Sequence, residues 1–190
     1  MDCVRAKSGG VEMIEIKRIW AMPNKWTFKI KPIAKLLEEE LTTDLWIDPF
    51  AGMYSPAKIT NDLNIDMPTD YHIDALDFLK MFEDASVFGV LLDPPYSVRQ
   101  VAECYKGIGK NVTNEDTGMQ FYSNIKDEVT RITTPLGKVI TCGWNSMGCG
   151  KNRGFSIKRI LLVPHGGHKN DTIVVVEQKK QTTLKEVLLK

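Results

Sequence analysis

The chain has 190 residues, 43% of them hydrophobic and 26% charged, which suits one domain with a substantial core and is too short for two comfortable ones. Its 25 basic and 24 acidic residues leave a net charge of +1, so a polyanionic partner would need locally concentrated lysines and arginines. No apolar run approaches the roughly 20 residues that span a bilayer, and residues 1–18 carry acids without the apolar stretch of a secretory signal.

Val11–Arg18 alternates like a short strand, and Pro32–Leu41 carries Ile33, Leu36, Leu37 and Leu41 at helical spacing, with the acids facing away. Strand and helix then alternate. Leu45-Trp46-Ile47 ends at Asp48, Lys58–Asn61 at Asp62, and Tyr71-His72-Ile73 at Asp74. Ala75–Phe82 reads as a helix, and Ser86–Leu92 (SVFGVLL) as a strongly apolar strand that stops at Asp93. Arg99–Tyr105 and Met119–Ile132 are helical in pattern. Lys138–Cys142 is a strand, and Arg159–Val163 with Thr172–Glu177 forms an antiparallel pair around HGGHKND. Buried strands separated by helices predict an α/β sheet covered on both faces. Such sheets bind ligands outside the carboxyl ends of their strands, where Asp48, Asp62, Asp74 and Asp93 all fall.

The sharpest motif is Asp93-Pro94-Pro95-Tyr96. Two prolines cannot continue a sheet ladder, and they hold the backbone rigid and extended. The Asp93 carboxylate and the Pro94 carbonyl can then grip the two hydrogens of one amino group. An aromatic amine is a poor nucleophile because its lone pair is delocalised, and such a grip favours a pyramidal nitrogen. Asp93 is also placed to accept the proton lost on reaction, and Tyr96 to stack on the base. The second motif is Asp48-Pro49-Phe50-Ala51-Gly52, whose small residues let the backbone approach a ligand closely. Cys3, Cys104, Cys142 and Cys149 are scattered and form no CxxC pair, as in a cytosolic protein with reduced thiols. The Cys142–Cys149 interval matches no ordinary zinc spacing, and His165 and His168 flank a glycine turn, so no metal is expected.

DPFAG followed by DPPY, with an acid after each intervening strand, resembles the amino-methyltransferases that make N6-methyladenine or N4-methylcytosine in DNA. The resemblance spans roughly Asn24 to Glu177 and extends to NDLN, GWNS and HGGHKNDT, as in small bacterial and phage members. It implies a Rossmann-like sheet of seven strands with an antiparallel C-terminal hairpin, and S-adenosylmethionine as cofactor. On that resemblance Asp48, Pro49 and the Phe50–Gly52 turn, with Ala51 at its centre, cradle the methionine part. Asp62 takes the ribose hydroxyls, Asp74 with Ala75 the cofactor's adenine, and Thr27 and Phe28 line the same site. A carboxylate suits a ribose diol, and acids and aromatics suit a cationic sulfonium. Asp62 and Asp74 are also well placed simply to cap the next turn or helix. This sequence departs from the family in two places: Tyr54 stands where a second glycine is usual, and the interval from Gly52 to Asp62, with Pro56 inside it, leaves little room for a helix.

The expected activity is methylation of adenine N6 in DNA, with an RNA base (adenine-N6 or guanine-N2) or a non-catalytic binding module as alternatives. Neither Ser97–Pro135 nor the loop GWNSMGCGKNRGF is large enough for a separate target-recognition domain. Low specificity, a very short site, or help from a second copy or accessory subunit follows. Lys151, Arg153, Lys158 and the adjacent Arg159 are candidates for phosphate contacts and Trp144 for stacking, with Arg99 beside the catalytic motif; a target in a duplex must be flipped out.

Overall fold

The apolar runs become the strands of one twisted sheet, described by a computed structural model for residues 13–42, 45–95, 119–167 and 170–181. The strands are β1 (Glu15–Arg18), β2 (Trp46–Asp48), β3 (Ile59–Thr60), β4 (Val87–Leu92), β5 (Thr133–Gly143), β6 (Phe155–Val163) and β7 (Thr172–Lys179). They lie in the order β1-β6-β7-β5-β4-β2-β3. β7 runs antiparallel to both neighbours, β5 and β6, and every other pairing is parallel. The expected α/β sheet of seven strands with an antiparallel hairpin is therefore the observed one, with β1 supplying the far edge strand. The predicted helix Arg99–Tyr105 lies outside the described residues, as does His168.

Helices α1 (Lys31–Glu40), α2 (Ala75–Lys80) and α3 (Met119–Ile132) cover the sheet from two sides. One core packs α1 and the segment before it against the sheet through Phe28, Ile33, Leu36, Leu37, Trp46 and Leu91. The other packs α2 and α3 through Phe78, Leu79, Ile125, Val129, Val90 and Val139. The pleat sorts these residues: Trp46, Leu91 and Ile140 face one core, while Ile47, Val90 and Val139 face the other. β2 and β4, buried on both faces, are near-continuous apolar runs for that reason. Gly89 is required beside β2, because a Cβ there would lie 2.3 Å from the Trp46 ring.

Two expectations need correction. The acids of α1 do not all face away, because Glu40 continues the apolar stripe of Ile33, Leu36 and Leu37 and is buried. It takes ion pairs from Lys138 (2.7 Å) on β5 and Arg159 (2.7 Å) on β6, and Arg159 also pairs with Glu15 and Glu39. Burial opposes its charge, but those two hydrogen bonds prevail and hold its carboxyl below the usual range. Arg159 is thus committed inside the protein rather than offered to a phosphate. A one-residue bulge between Ile157 and Arg159 sets this register.

The second correction concerns Tyr71-His72-Ile73, which makes only a single bridge, from Asn61 to Tyr71. All three residues are exposed, so no face exists for a full strand to bury. Side chains take over the pairing. The Asn61 amide, fully buried, donates to the carbonyls of Pro49 (3.1 Å) and Ile73 (3.0 Å) and accepts from the Ile73 N–H (3.0 Å). Asp70 accepts from both the N–H and the hydroxyl of Thr60. Asn61→Ala leaves these backbone groups without partners and is expected to cost about 2–3 kcal/mol. Urea unfolding measures it, and a loss below about 0.5 kcal/mol would show that water substitutes for the amide.

Candidate active site

Parallel strands end at a common edge, and the side-chain pleat decides what points across it. Asp48 closes β2 on the same face as Trp46, and Asp93 follows β4 on the face of Leu91. Both carboxyls therefore lie on the α1 side of the C-terminal edge. Asp48 is fully buried, and Asp93 is half-buried. Asp48 accepts from the Phe50 N–H (2.9 Å) and the Ser55 hydroxyl (2.6 Å). Asp93 takes a hydrogen bond from the Thr27 side chain, in the short 3-10 turn Thr27–Lys29 that precedes α1.

These bonds do not offset the loss of water. Desolvation pushes Asp48 up to about 7 against the Ser55 and Phe50 bonds, and the charges of Asp93 and Asp62 push it further the same way. Desolvation likewise lifts Asp93 to about 6 against the Thr27 bond. Cys142, behind them on β5, is held protonated by burial first and then by the charges of Asp93 and Asp48. The buried Asp48, with the charges of Asp93 and Asp62 bearing on it, makes this edge one where a further negative charge is disfavoured.

Around this pair the first turn takes an unusual path. Between Gly52 and β3 no helix forms, as the short interval requires. Gly52 has φ of +56°, a conformation that favours glycine, and its N–H donates to Asp62 (3.0 Å). Asp62 also accepts from the Asn64 N–H (2.8 Å), and Pro49 and Ala51 are buried beside Asn61. Tyr54 turns outward, 47% exposed, and leaves Ser55 to reach Asp48.

The other sequence candidates separate into groups. Asp74 caps α2 by accepting from the Leu76 N–H (2.8 Å), with Ala75 buried behind it. Phe28 belongs to the α1 core. Pro94 and Pro95 follow Asp93, and the Tyr122 hydroxyl of α3 donates to the Pro95 carbonyl, which fixes the motif's exit. Tyr96 and Arg99 lie outside the described residues. Trp144 follows β5 at the same edge and is 44% exposed. Lys151 and Arg153 do not join it. They immediately precede β6, whose first residue pairs with Lys179 while its last pairs with Thr172, so they stand at the opposite edge. At roughly 3.3 Å per residue, β6 separates the two edges by about 25 Å. Arg153 is bonded there to Asp127 (2.7 Å) and Ser123 (2.9 Å) of α3, and Lys158 sits in the β6 bulge nearby. Ser55, Asn61 and Tyr122 escaped the sequence reading, although Asn61 at the end of a short apolar run was a visible cue.

No known family model and no curated protein sequence matches the chain. Solved structures do. A Burkholderia thailandensis 1,6-didemethyltoxoflavin-N1-methyltransferase, crystallised with 1,6-didemethyltoxoflavin and S-adenosylhomocysteine, superimposes with a TM-score of 0.53 at 12% identity, over 80% of this chain and 78% of that one. The candidate methyltransferase yhhF of Escherichia coli gives 0.50 at 10% identity, over 80% and 85%. The chain has the Rossmann-like fold of these methyltransferases. Among the described residues no helix is long and apolar enough to cross a membrane.

The raised carboxyls set a pH dependence. The folded protein binds these protons more tightly than the unfolded chain, so their contribution to stability is full below about pH 4 and is lost as pH rises to about 7. Asp48→Asn cannot ionise, and it should gain roughly 4 kcal/mol on the native protein between pH 4 and pH 8. Urea midpoints across that range test it; parallel curves for the two proteins would mean that the folded Asp48 titrates like the unfolded one, its burial fully offset by its partners.

Proposed function

We propose that the protein transfers a methyl group from S-adenosylmethionine to an exocyclic amine, specifically N6 of adenine in DNA. The observation that carries this reading is Asp93, a half-buried carboxyl at the end of a central parallel strand, held by Thr27 and followed by a Pro-Pro exit tied to Tyr122. The fold's likeness to methyltransferases supports the reaction class. The choice of adenine in DNA rests on the Asp93–Tyr96 motif.

The residues present suit the cofactor. The charges of Asp93 and Asp62 bear on the buried Asp48, and a cationic group relieves that repulsion. Both Asp62 oxygens hold a backbone N–H and retain lone pairs for a diol. S-adenosylmethionine, when bound, supplies an electrophilic methyl group on a positively charged sulfur.

Asp93 and the Pro94 carbonyl accept the two N–H bonds of the target amine and turn its lone pair toward the methyl group. Transfer would break the carbon–sulfur bond and leave its electron pair on a neutral thioether, and the nitrogen, made cationic and acidic, would give its proton to Asp93. A carboxyl lifted to about 6 is a better base than an ordinary one and is still largely ionised at neutral pH. Thr27 fixes the carboxylate's orientation, and the rigid prolines keep the second acceptor from drifting.

Incubation with methyl-labelled S-adenosylmethionine and unmodified DNA or RNA, followed by nucleoside mass spectrometry, tests the reading. N6-methyladenine is expected from DNA, and Asp93→Asn should lower the rate about 100-fold or more. Labelled RNA alone would move the substrate, and no product with no cofactor binding would sink the enzyme. Affinity for the cationic cofactor should also rise from pH 5 to pH 8 as the carboxyls ionise, more steeply than affinity for the uncharged thioether S-adenosylhomocysteine. Calorimetry at both pH values reads that difference.

A further inference from the structure

Lys151 and Arg153, which the sequence offered for phosphate contacts, stand at the wrong edge of the sheet, while a different cationic cluster stands at the right one. After β1 the chain follows the C-terminal edge, with Ile19 and Ala21 bonded to the carbonyls of Leu162 and Pro164. It then reaches Thr27 beside Asp93. Trp26 therefore precedes a residue that touches the reactive carboxyl. Its ring also packs over the first turn, 3.3 Å from where a Cβ on Gly52 would lie. Tyr54 meets that ring edge-on, with centroids 5.7 Å apart. Lys25 places its ammonium 4.7 Å from the Trp26 ring centroid, and Lys29 places its own 4.8 Å from that of Tyr54. The result is a ladder of two aromatic rings and two cations on the rim of the site.

Packing does not explain the ladder. Tyr54 is 47% exposed, both lysines are exposed, and among the described residues neither ammonium has a carboxylate at ion-pair distance. The charge is wrong for the cofactor's sulfonium, which belongs with the acids inside. It is right for phosphates, and the rings offer flat apolar surface to unpaired bases.

We propose that Lys25, Trp26, Lys29 and Tyr54 form the platform on which a single-stranded stretch of the nucleic-acid substrate lies as its target base enters the site. Tyr54 in place of the usual glycine is, on this assignment, a substrate contact. The inference rests on the nucleic-acid reading above and names the surface that serves it.

The test measures binding of a fluorescent single-stranded oligodeoxynucleotide of about 12 nucleotides, by anisotropy over a salt series. Tyr54→Leu should weaken binding about tenfold by removing one stacking surface. Lys25→Ala with Lys29→Ala should reduce the slope of log affinity against log salt by about 1.4, the share of two released counterions on a single strand. Cofactor affinity by calorimetry should stay within about twofold for both, which also reports that the variants are folded. A wild type that binds the strand, with variants of unchanged affinity and slope, overturns the platform and leaves the methyltransferase reading standing. Variants that lose the cofactor rather than the strand overturn it too, and assign the ladder to the cofactor. A wild type without oligonucleotide affinity removes both the platform and the nucleic-acid reading.

Discussion

The structure turns on two carboxyls that parallel pairing forces to the same dry edge. β2 and β4 are neighbours in register, so residues of equal pleat phase face the same way, and Asp48 and Asp93 share the α1 side. A carboxylate there loses water and meets another of its own sign. Everything nearby answers that demand. Ser55 and the Phe50 N–H serve Asp48, and Thr27 serves Asp93 from a separate stretch of chain. None of these donors carries a charge, so the carboxyls stay lifted rather than neutralised.

The turn between β2 and β3 shows how a parallel crossover can do without its helix. A helix would satisfy its own backbone and cover the strand ends. Here side chains do both. Asn61 joins the first turn to the backbone at Ile73, Asp62 holds Gly52 and Asn64, and Asp70 holds Thr60. Each bond is local and polar, so the segment's shape depends on residue identity rather than on buried area. Substitution within it should consequently act more sharply than exposure alone suggests.

Much of this was legible in the sequence because apolar runs that stop at an acid or a glycine are the direct imprint of buried parallel strands. The helix Met119–Ile132 and the strands ending at Asp48 and Asp93 follow from periodicity alone. What periodicity cannot carry is the partner of a side chain. Glu40 falls on the apolar stripe of its helix, yet its burial made sense only once Lys138 and Arg159, far along the chain, came within 2.7 Å. Tyr54 and Ser55 are adjacent and could exchange directions; which one enters is decided by Asp48's need for a donor. Lys151 and Arg153 follow the right strand in sequence, but the loop returns them to the other edge before β6 begins.

On the proposed reading, the distribution of charge at the C-terminal edge sorts two substrates of opposite sign. The acids lie inside, where poor solvation strengthens their field, and the lysines lie on the rim, where water and salt weaken theirs. A small cationic cofactor gains most from the inner field and is repelled by the rim only over a short, screened distance. A polyanion gains from the rim and is turned back by the interior, so its backbone stays outside while a single neutral base can pass. That sorting needs no large basic surface, which is compatible with a chain whose net charge is +1. On that reading, the methyl donor belongs with the acids behind Thr27 and the phosphodiester strand with the lysines beside it.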